Sequence, residues 1–192
     1  MSEQVAYEAN EENLWRAETP GPEGWIRTAH RDDPEKYLMI SADTHANEPH
    51  DLWAKRIDKK YVDRLPRVVT DEDGKQWRVS EGHRKARLME FRMLGEDGVR
   101  GKAGAKLKDR LKDNRYDGID AEIMFPNKGL AMWATPDPVF AMAQCKVWNE
   151  WAWEEFGSHN NSVSPMPAIA TGDLEGAMKE IERVAALGFR GL

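Results

Sequence analysis

The residues best suited to chemistry lie in the stretch MISADTHANEPHDLW, at positions 39 to 53. Asp43 and His45 follow an apolar run and are separated by one residue. Because side chains alternate along a strand, two residues at this spacing project from the same face. A carboxylate and an imidazole on one face could bind one divalent ion, and the alternative is a capped turn that contains a histidine. Glu48 could orient His45 or cap the next segment.

A second group of candidates lies in a basic stretch of the chain. Residues 83–115 hold eleven Lys/Arg and five Asp/Glu, although the whole chain has a net charge of -6. A solvated helical face is the ordinary interpretation of such a stretch. It could also be a lid that supplies an arginine to a substrate carboxylate, with Arg84, Arg87 and Arg92 as candidates and Arg92 as the predicted substrate-binding residue. No recognised nucleic-acid-binding module is present, so nucleic acid is not an expected partner.

The elements that must position these residues alternate between strands and helices. Asp137 and Gly157 indicate the start and the stop of one helix, and Asp173 and Gly188 do the same for a second. Asp-Gly at positions 73–74, between two β-prone runs, predicts a hairpin. The predicted elements are a strand at 37–42, a hairpin at 67–79, a strand at 118–126, a helix at 137–157, a strand at 162–170 and a helix at 173–188.

This order of elements predicts the fold class. Strands that alternate with helices form right-handed βαβ units and a parallel sheet. A closed (β/α)₈ barrel needs about 250 residues, and only about half of its elements are present. We therefore expect an α/β fold, the N-terminal half of a TIM barrel, with the final GFRGL as the start of another strand. Phe125 and Asn127 end the strand at 118–126, on the side where barrel sites lie, so both could line a substrate pocket.

Composition and charge limit the kinds of function. The 192 residues are 40% apolar and include eight Trp, and their net charge of -6 gives no reason to bind nucleic acid or an anionic membrane. Cys145 is the only cysteine, which excludes a disulfide framework and a cysteine-based zinc site. Residues 1–36 are polar and carry neither a signal peptide nor a membrane-spanning run. We expect an N-terminal arm there, and a cytoplasmic protein without a membrane partner.

Four stretches occur in a diagnostic order: ISADTHANEPHDLW, DGIDAEIMFPN, VWNEWAWEEF and VSPMPAIATGDLEGAMKEIERVAALGFRGL. Together they resemble the amidohydrolase-2 family of metal-dependent TIM barrels, which includes aminocarboxymuconate semialdehyde decarboxylase and the resorcylate-type decarboxylases. The resemblance covers residues 37–192 and implies a partial barrel of that type. Residues 54–118 then form a long charged insert after the first strand.

The resemblance implies a ligand set. In this family the first strand usually ends in His-x-His, and Asp43 and His45 stand at those positions here. Both are implied to bind a divalent metal, zinc first, with manganese or magnesium as alternatives because a carboxylate suits harder ions. Further histidines, and an aspartate that acts as general acid/base, come from later strands that this sequence does not contain. The catalytic residue therefore stays unknown.

The resemblance also implies a function. It is that of a metal-dependent hydrolase or a non-oxidative decarboxylase, which acts on a small carboxylic substrate, aromatic acids included, and forms a homo-oligomer. The alternative is a catalytically inactive truncated half-barrel, or an assembly or binding protein, because a half-barrel exposes two unpaired strand edges. The ligand count and the final GFRGL favour the alternative for the isolated chain, whereas the motif favours an enzyme for a longer parent protein.

Overall fold

The computed structural model describes residues 39–88, 106–117 and 119–192. The predicted arm at 1–36 and the candidate Arg92 lie outside these ranges. The elements within them are, in chain order, β1 Ile40–His45, α1 Leu52–Arg56, β2 Arg67–Thr70, β3 Gln76–Val79, β4 Ala86–Arg87, α2 Leu107–Tyr116, β5 Ala121–Phe125, α3 Pro138–Phe156, β6 Val163–Pro165 and α4 Leu174–Leu187. Within the same ranges, three short 3₁₀ segments join some of them: Lys59–Arg64, Lys128–Ala131 and Gly157–His159.

The main sheet is parallel, with β5 between β1 and β6. Helices lie between its successive strands along the chain, as expected of βαβ units. One face of the sheet is covered by helices and carries the buried side chains of Glu122, Met124 and Val163. The other, which we call the open face, carries Ile40, whose side chain is 55% exposed. These observations confirm an α/β fold built on a parallel sheet.

The strand boundaries differ from the prediction. The first strand, Ile40–His45, ends later than the predicted position 42, because its pairing with β5 continues to His45. The candidate metal ligands are therefore strand residues and do not follow the strand. The last strand covers only Val163–Pro165 of the predicted 162–170, and Pro165 and Pro167 explain the early end because proline has no N–H to donate to a ladder.

The two long helices begin and end as the sequence predicts. Asp137 caps α3 by accepting hydrogen bonds from two first-turn N–H groups at 3.0 and 3.2 Å. Gly188 ends α4 in the left-handed conformation, with a φ of 113°. On α4, Leu174 is 72% exposed, whereas Glu180 is 1% exposed. The Glu180 carboxylate tolerates burial because it accepts hydrogen bonds from the Arg183 guanidinium at 2.6 and 2.8 Å and from the Asn149 amide at 2.8 Å.

The core lies between the main sheet and α3. Trp148 and Phe156 are fully buried, and Trp151 packs against both of their rings. The Trp148 indole N–H donates to the carbonyl of Met166 at 2.9 Å, so the polar end of this large side chain is paired inside the core. Nowhere in the described ranges is a helix both long enough and apolar enough to cross a membrane.

The charged insert carries a small antiparallel sheet of β2, β3 and β4. The predicted hairpin between β2 and β3 is confirmed, with Gly74 at a φ of 77° in its turn. Arg64 ties the insert to α3, because it bonds Glu81 at 2.7 Å and Asp137 at 2.8 Å. The same guanidinium lowers the pKa of both carboxyl groups.

Candidate functional site

A β-bulge in β1 decides which side chains reach the open face. Ile40 is aligned with Ala121 and His45 with Phe125, so the alignment spans one residue more on β1 than on β5. The extra residue lies between positions 41 and 44. Without it, Ile40 and His45 would project to opposite faces, because a shift of one residue exchanges the two faces. The bulge therefore brings Asp43 and His45 to the open face beside Phe125.

The imidazole of His45 is held in one tautomer. Its Nδ1 lies 2.8 Å from the carbonyl oxygen of Pro126, and since a carbonyl can only accept, Nδ1 carries the proton. In the neutral ring, Nε2 then has a free lone pair. This Nε2 lies 3.5 Å from Oδ1 of Asp43. Two acceptor atoms thus converge on one point, an arrangement that a bound metal ion would stabilise.

The pair is open to solvent. The side chain of Asp43 is 80% exposed and that of His45 is 39% exposed. An ion and its remaining ligands can therefore reach both donor atoms, and little desolvation opposes binding.

Glu48 supports the loop that orients His45. Its carboxylate is 1% exposed and accepts hydrogen bonds from the backbone N–H groups of Asn127, Lys128 and Gly129 at 2.8, 3.0 and 3.2 Å. The loop that this carboxylate caps follows β5, whereas the segment considered from the sequence follows β1. The direct partner of the imidazole is Pro126, at the start of that loop. Any effect of Glu48 on His45 therefore passes through the loop.

Arg110 fixes the end of β1 from the helix-covered side. Its guanidinium bonds both carboxylate oxygens of Glu122, at 2.6 and 2.8 Å, and a third N–H donates to the carbonyl of His45 at 2.8 Å. The side chains of Arg110 and Glu122 are 12% and 1% exposed. Sequence reasoning placed Arg110 on a solvated basic face, and no local signal marks it, since its partners are remote along the chain.

The other candidates lie around this pair or away from it. The Phe125 ring centroid is 6.3 Å from that of His45, on the open face. Asn127 is exposed, and its backbone N–H bonds Glu48. Arg84 and Arg87 are both exposed, Arg87 on β4 of the small antiparallel sheet and Arg84 in the loop that precedes this strand. The substrate-binding roles of Phe125, Asn127 and Arg92 stay predictions.

The donor set fits a divalent ion in part. An imidazole nitrogen and a carboxylate oxygen are ordinary zinc ligands, and the Pro126 carbonyl gives His45 the outer hydrogen bond that metal-binding histidines usually make. Among the described residues, however, no group of three or more His, Cys, Asp or Glu side chains is placed to hold a metal. A catalytic zinc needs about three protein ligands. Within the described ranges, Asp43 and His45 could supply two of the ligands that such a site requires.

Comparison with known proteins gives one informative result. No protein-family model matches the chain, and no curated protein matches it. Its structure is similar to the crystal structure of an amidohydrolase from Mycobacterium avium subsp. paratuberculosis K-10, with a TM-score of 0.62 and 19% sequence identity. The similarity covers 80% of this chain and 47% of that one, so the chain spans about half the length of the amidohydrolase. At this identity the likeness shows the fold, which is that of part of an amidohydrolase.

Proposed function

We propose that this chain forms part of a metal-dependent enzyme of the amidohydrolase type. Asp43 and His45 bind a divalent ion, zinc first and manganese or magnesium as alternatives. The reaction is hydrolysis or non-oxidative decarboxylation of a small carboxylic acid. The observation that carries the proposal is the convergence of Nε2 of His45 and Oδ1 of Asp43, 3.5 Å apart on the open face. The amidohydrolase fold supports it.

Each residue at the site has a physical role in this proposal. His45 offers the lone pair of Nε2, and the Pro126 carbonyl keeps the proton on Nδ1 so that the lone pair stays available. Asp43 supplies negative charge, which favours a cation and reduces its net charge. A divalent ion bound there would supply Lewis acidity toward a carboxylate or carbonyl oxygen. Phe125 gives this place an apolar neighbour, suited to the non-polar part of a substrate.

The proposal requires further groups to complete the site. At least one more metal ligand and the general acid/base must come from outside the described residues, either from the rest of this chain, from a longer protein or from another chain. Arg92 and Asn127 are the residues of this chain that we propose to contact the substrate. An arginine can bind a carboxylate with two parallel hydrogen bonds, which would orient the acid at the ion.

Zinc binding tests the metal site. Equilibrium dialysis against Zn²⁺, followed by elemental analysis, is performed on the wild type and on Asp43→Ala/His45→Ala. The matched control is Glu72→Ala/His83→Ala, which removes one carboxylate and one imidazole from exposed positions elsewhere. We expect the affinity to fall by about tenfold or more in the first variant, as for lost metal contacts generally, and to be unchanged in the control. Equal zinc affinity in all three proteins would contradict the proposed site.

The reaction is tested separately. Zinc-loaded protein is incubated with small carboxylic acids, and released carbon dioxide and hydrolysis products are measured. Turnover that requires zinc and is abolished by His45→Ala supports the proposed chemistry. Turnover that survives both chelation and the substitution would show that the reaction does not use this site.

A further inference from the structure

The loop after β5, residues 126–135, begins with the Pro126 carbonyl that bonds His45 and leads to the start of α3. Within it, the N–H groups of Met132 and Ala134 each donate to the carbonyl three residues earlier, at 3.0 and 3.2 Å. These bonded turns make the loop a compact unit. A displacement at its far end is therefore passed on to the Pro126 end.

The charged insert contacts the far end of this loop through a glycine, whereas Glu48 holds residues 127–129 at its near end. Gly82 lies in a turn of the insert with a φ of 77°, and a Cβ built on it would overlap the carbonyl oxygen of Ala134. The backbone of the insert thus packs directly against the backbone of the loop. Glycine is the residue that suits both this conformation and this close approach.

An ion-pair network fastens the same contact. Glu81, the neighbour of Gly82, accepts hydrogen bonds from the Arg64 guanidinium at 2.7 and 2.9 Å and from the hydroxyl of Thr135 at the end of the loop. The same guanidinium donates to Asp137, the residue that caps α3, at 2.8 Å. The insert is therefore bonded to the far end of the loop and to the helix that follows it.

We propose that the insert holds the loop after β5 in the position in which its Pro126 carbonyl orients His45. Gly82 and Glu81 are then positioning residues for the candidate metal site, and they act on His45 through the loop. When their contacts are lost, the carbonyl moves away from Nδ1 and the neutral ring populates both tautomers. Its Nε2 lone pair is then available for only part of the time. This inference rests on the proposed function, because the orientation of His45 matters to zinc only where zinc binds.

Nitrogen NMR of the metal-free protein, labelled with ¹⁵N-histidine, tests the proposal. In alkaline buffer the protonated and the bare nitrogen of a neutral ring resonate apart, and His45→Gln assigns the His45 signals. The wild type should show the Nδ1–H tautomer alone, whereas Gly82→Ala should add the Nε2–H tautomer. The matched control is Gly74→Ala, which has the same φ of 77° in the same insert but no atom within 4 Å of the new Cβ. It should keep the wild-type spectrum.

Zinc binding separates this inference from the proposed function. If the wild type binds zinc through Asp43 and His45, Gly82→Ala should lower the zinc affinity by about tenfold, and Gly74→Ala should leave it unchanged. A wild type without zinc affinity would contradict the proposed function. The His45 spectra of the metal-free proteins would then decide the inference by themselves.

A second pair of variants tests the same link without adding a side chain to the contact. Glu81→Ala removes the carboxylate that Arg64 and Thr135 share, and its control, Glu72→Ala, removes an exposed carboxylate from the same insert. Circular dichroism identifies the variants that fold. We expect the His45 spectrum to change in Glu81→Ala and not in its control. A wild-type His45 spectrum in folded Gly82→Ala or Glu81→Ala, or an equal change in a variant and its control, would overturn the proposal.

Discussion

Replacing Arg110 with methionine should destabilise the chain by about 3–5 kcal/mol. The substitution leaves the Glu122 carboxylate, which is 1% exposed, without its two charge-assisted hydrogen bonds of 2.6 and 2.8 Å. It also removes the donor to the carbonyl of His45. A buried carboxylate that loses its ion-pair partner still carries the free-energy cost of its removal from water. This cost is larger than the net stabilisation that the hydrogen bond provided.

The structure provides a matched surface pair. Arg56 and Glu154 also lie 2.7 Å apart, but their side chains are 34% and 59% exposed. Because solvent screens this pair, Arg56→Met should cost only about 0.2–1 kcal/mol. The double variant Arg110→Met/Glu122→Leu removes both buried charges and should recover about 2 kcal/mol or more of the loss in Arg110→Met, since apolar replacements of whole buried pairs are often well tolerated.

Urea unfolding followed by circular dichroism gives the free energy of unfolding of these variants by linear extrapolation. Two results would refute the reasoning. One is a loss below about 1 kcal/mol in Arg110→Met, similar to the exposed pair. The other is a double variant that is less stable than Arg110→Met alone, which would mean that the two side chains do not act as a pair.

Three other predictions follow from the packing and the charges. Gly188→Ala should lower the free energy of unfolding by about 1–2 kcal/mol, because φ is 113° and the new Cβ would lie 2.8 Å from the Trp153 ring. An unchanged midpoint of thermal unfolding would contradict this. Cys145 is 0% exposed, and burial raises the pKa of its thiol to about 12. A thiol reagent should therefore label it only after unfolding, and rapid labelling of the folded protein would contradict this. Arg64 lowers the pKa of Glu81 and of Asp137 below their ordinary values of 4.5 and 3.8. The two carboxylates therefore stabilise the folded state above these pH values, and this stabilisation is lost as the pH falls below them. Arg64→Gln should weaken this acid dependence of the melting temperature, and an unchanged profile would contradict it.

The helices could be predicted because their signals are local. Asp137 and Asp173 stand directly before helical runs and use their carboxylates on first-turn N–H groups, and Gly188 supplies the left-handed residue that ends α4. Each of these interactions joins residues within one turn, so the sequence pattern contains all of the information. The parallel sheet could be predicted from the order of strands and helices, because a helix that connects two strands of one sheet places those strands parallel.

The details of the site depend on contacts between distant residues and could not be predicted. The bulge in β1 is a property of its alignment with β5, whose residues lie about eighty positions away. The bond from Arg110 to the His45 carbonyl spans 65 positions. Glu48 accepts from backbone N–H groups about eighty positions away on the loop after β5, a contact that no local pattern in the sequence indicates. Spacing alone did indicate that Asp43 and His45 share a face, because that depends only on strand alternation.

The central claim is that Asp43 and His45 bind one divalent ion through Oδ1 and Nε2. Anomalous diffraction from crystals grown with zinc, recorded above and below the zinc absorption edge, tests it most directly. We expect a peak about 2.0–2.2 Å from both atoms, with Nδ1 of His45 still bonded to the Pro126 carbonyl. No peak between these atoms at saturating zinc, or a bound zinc that contacts neither side chain, would contradict it.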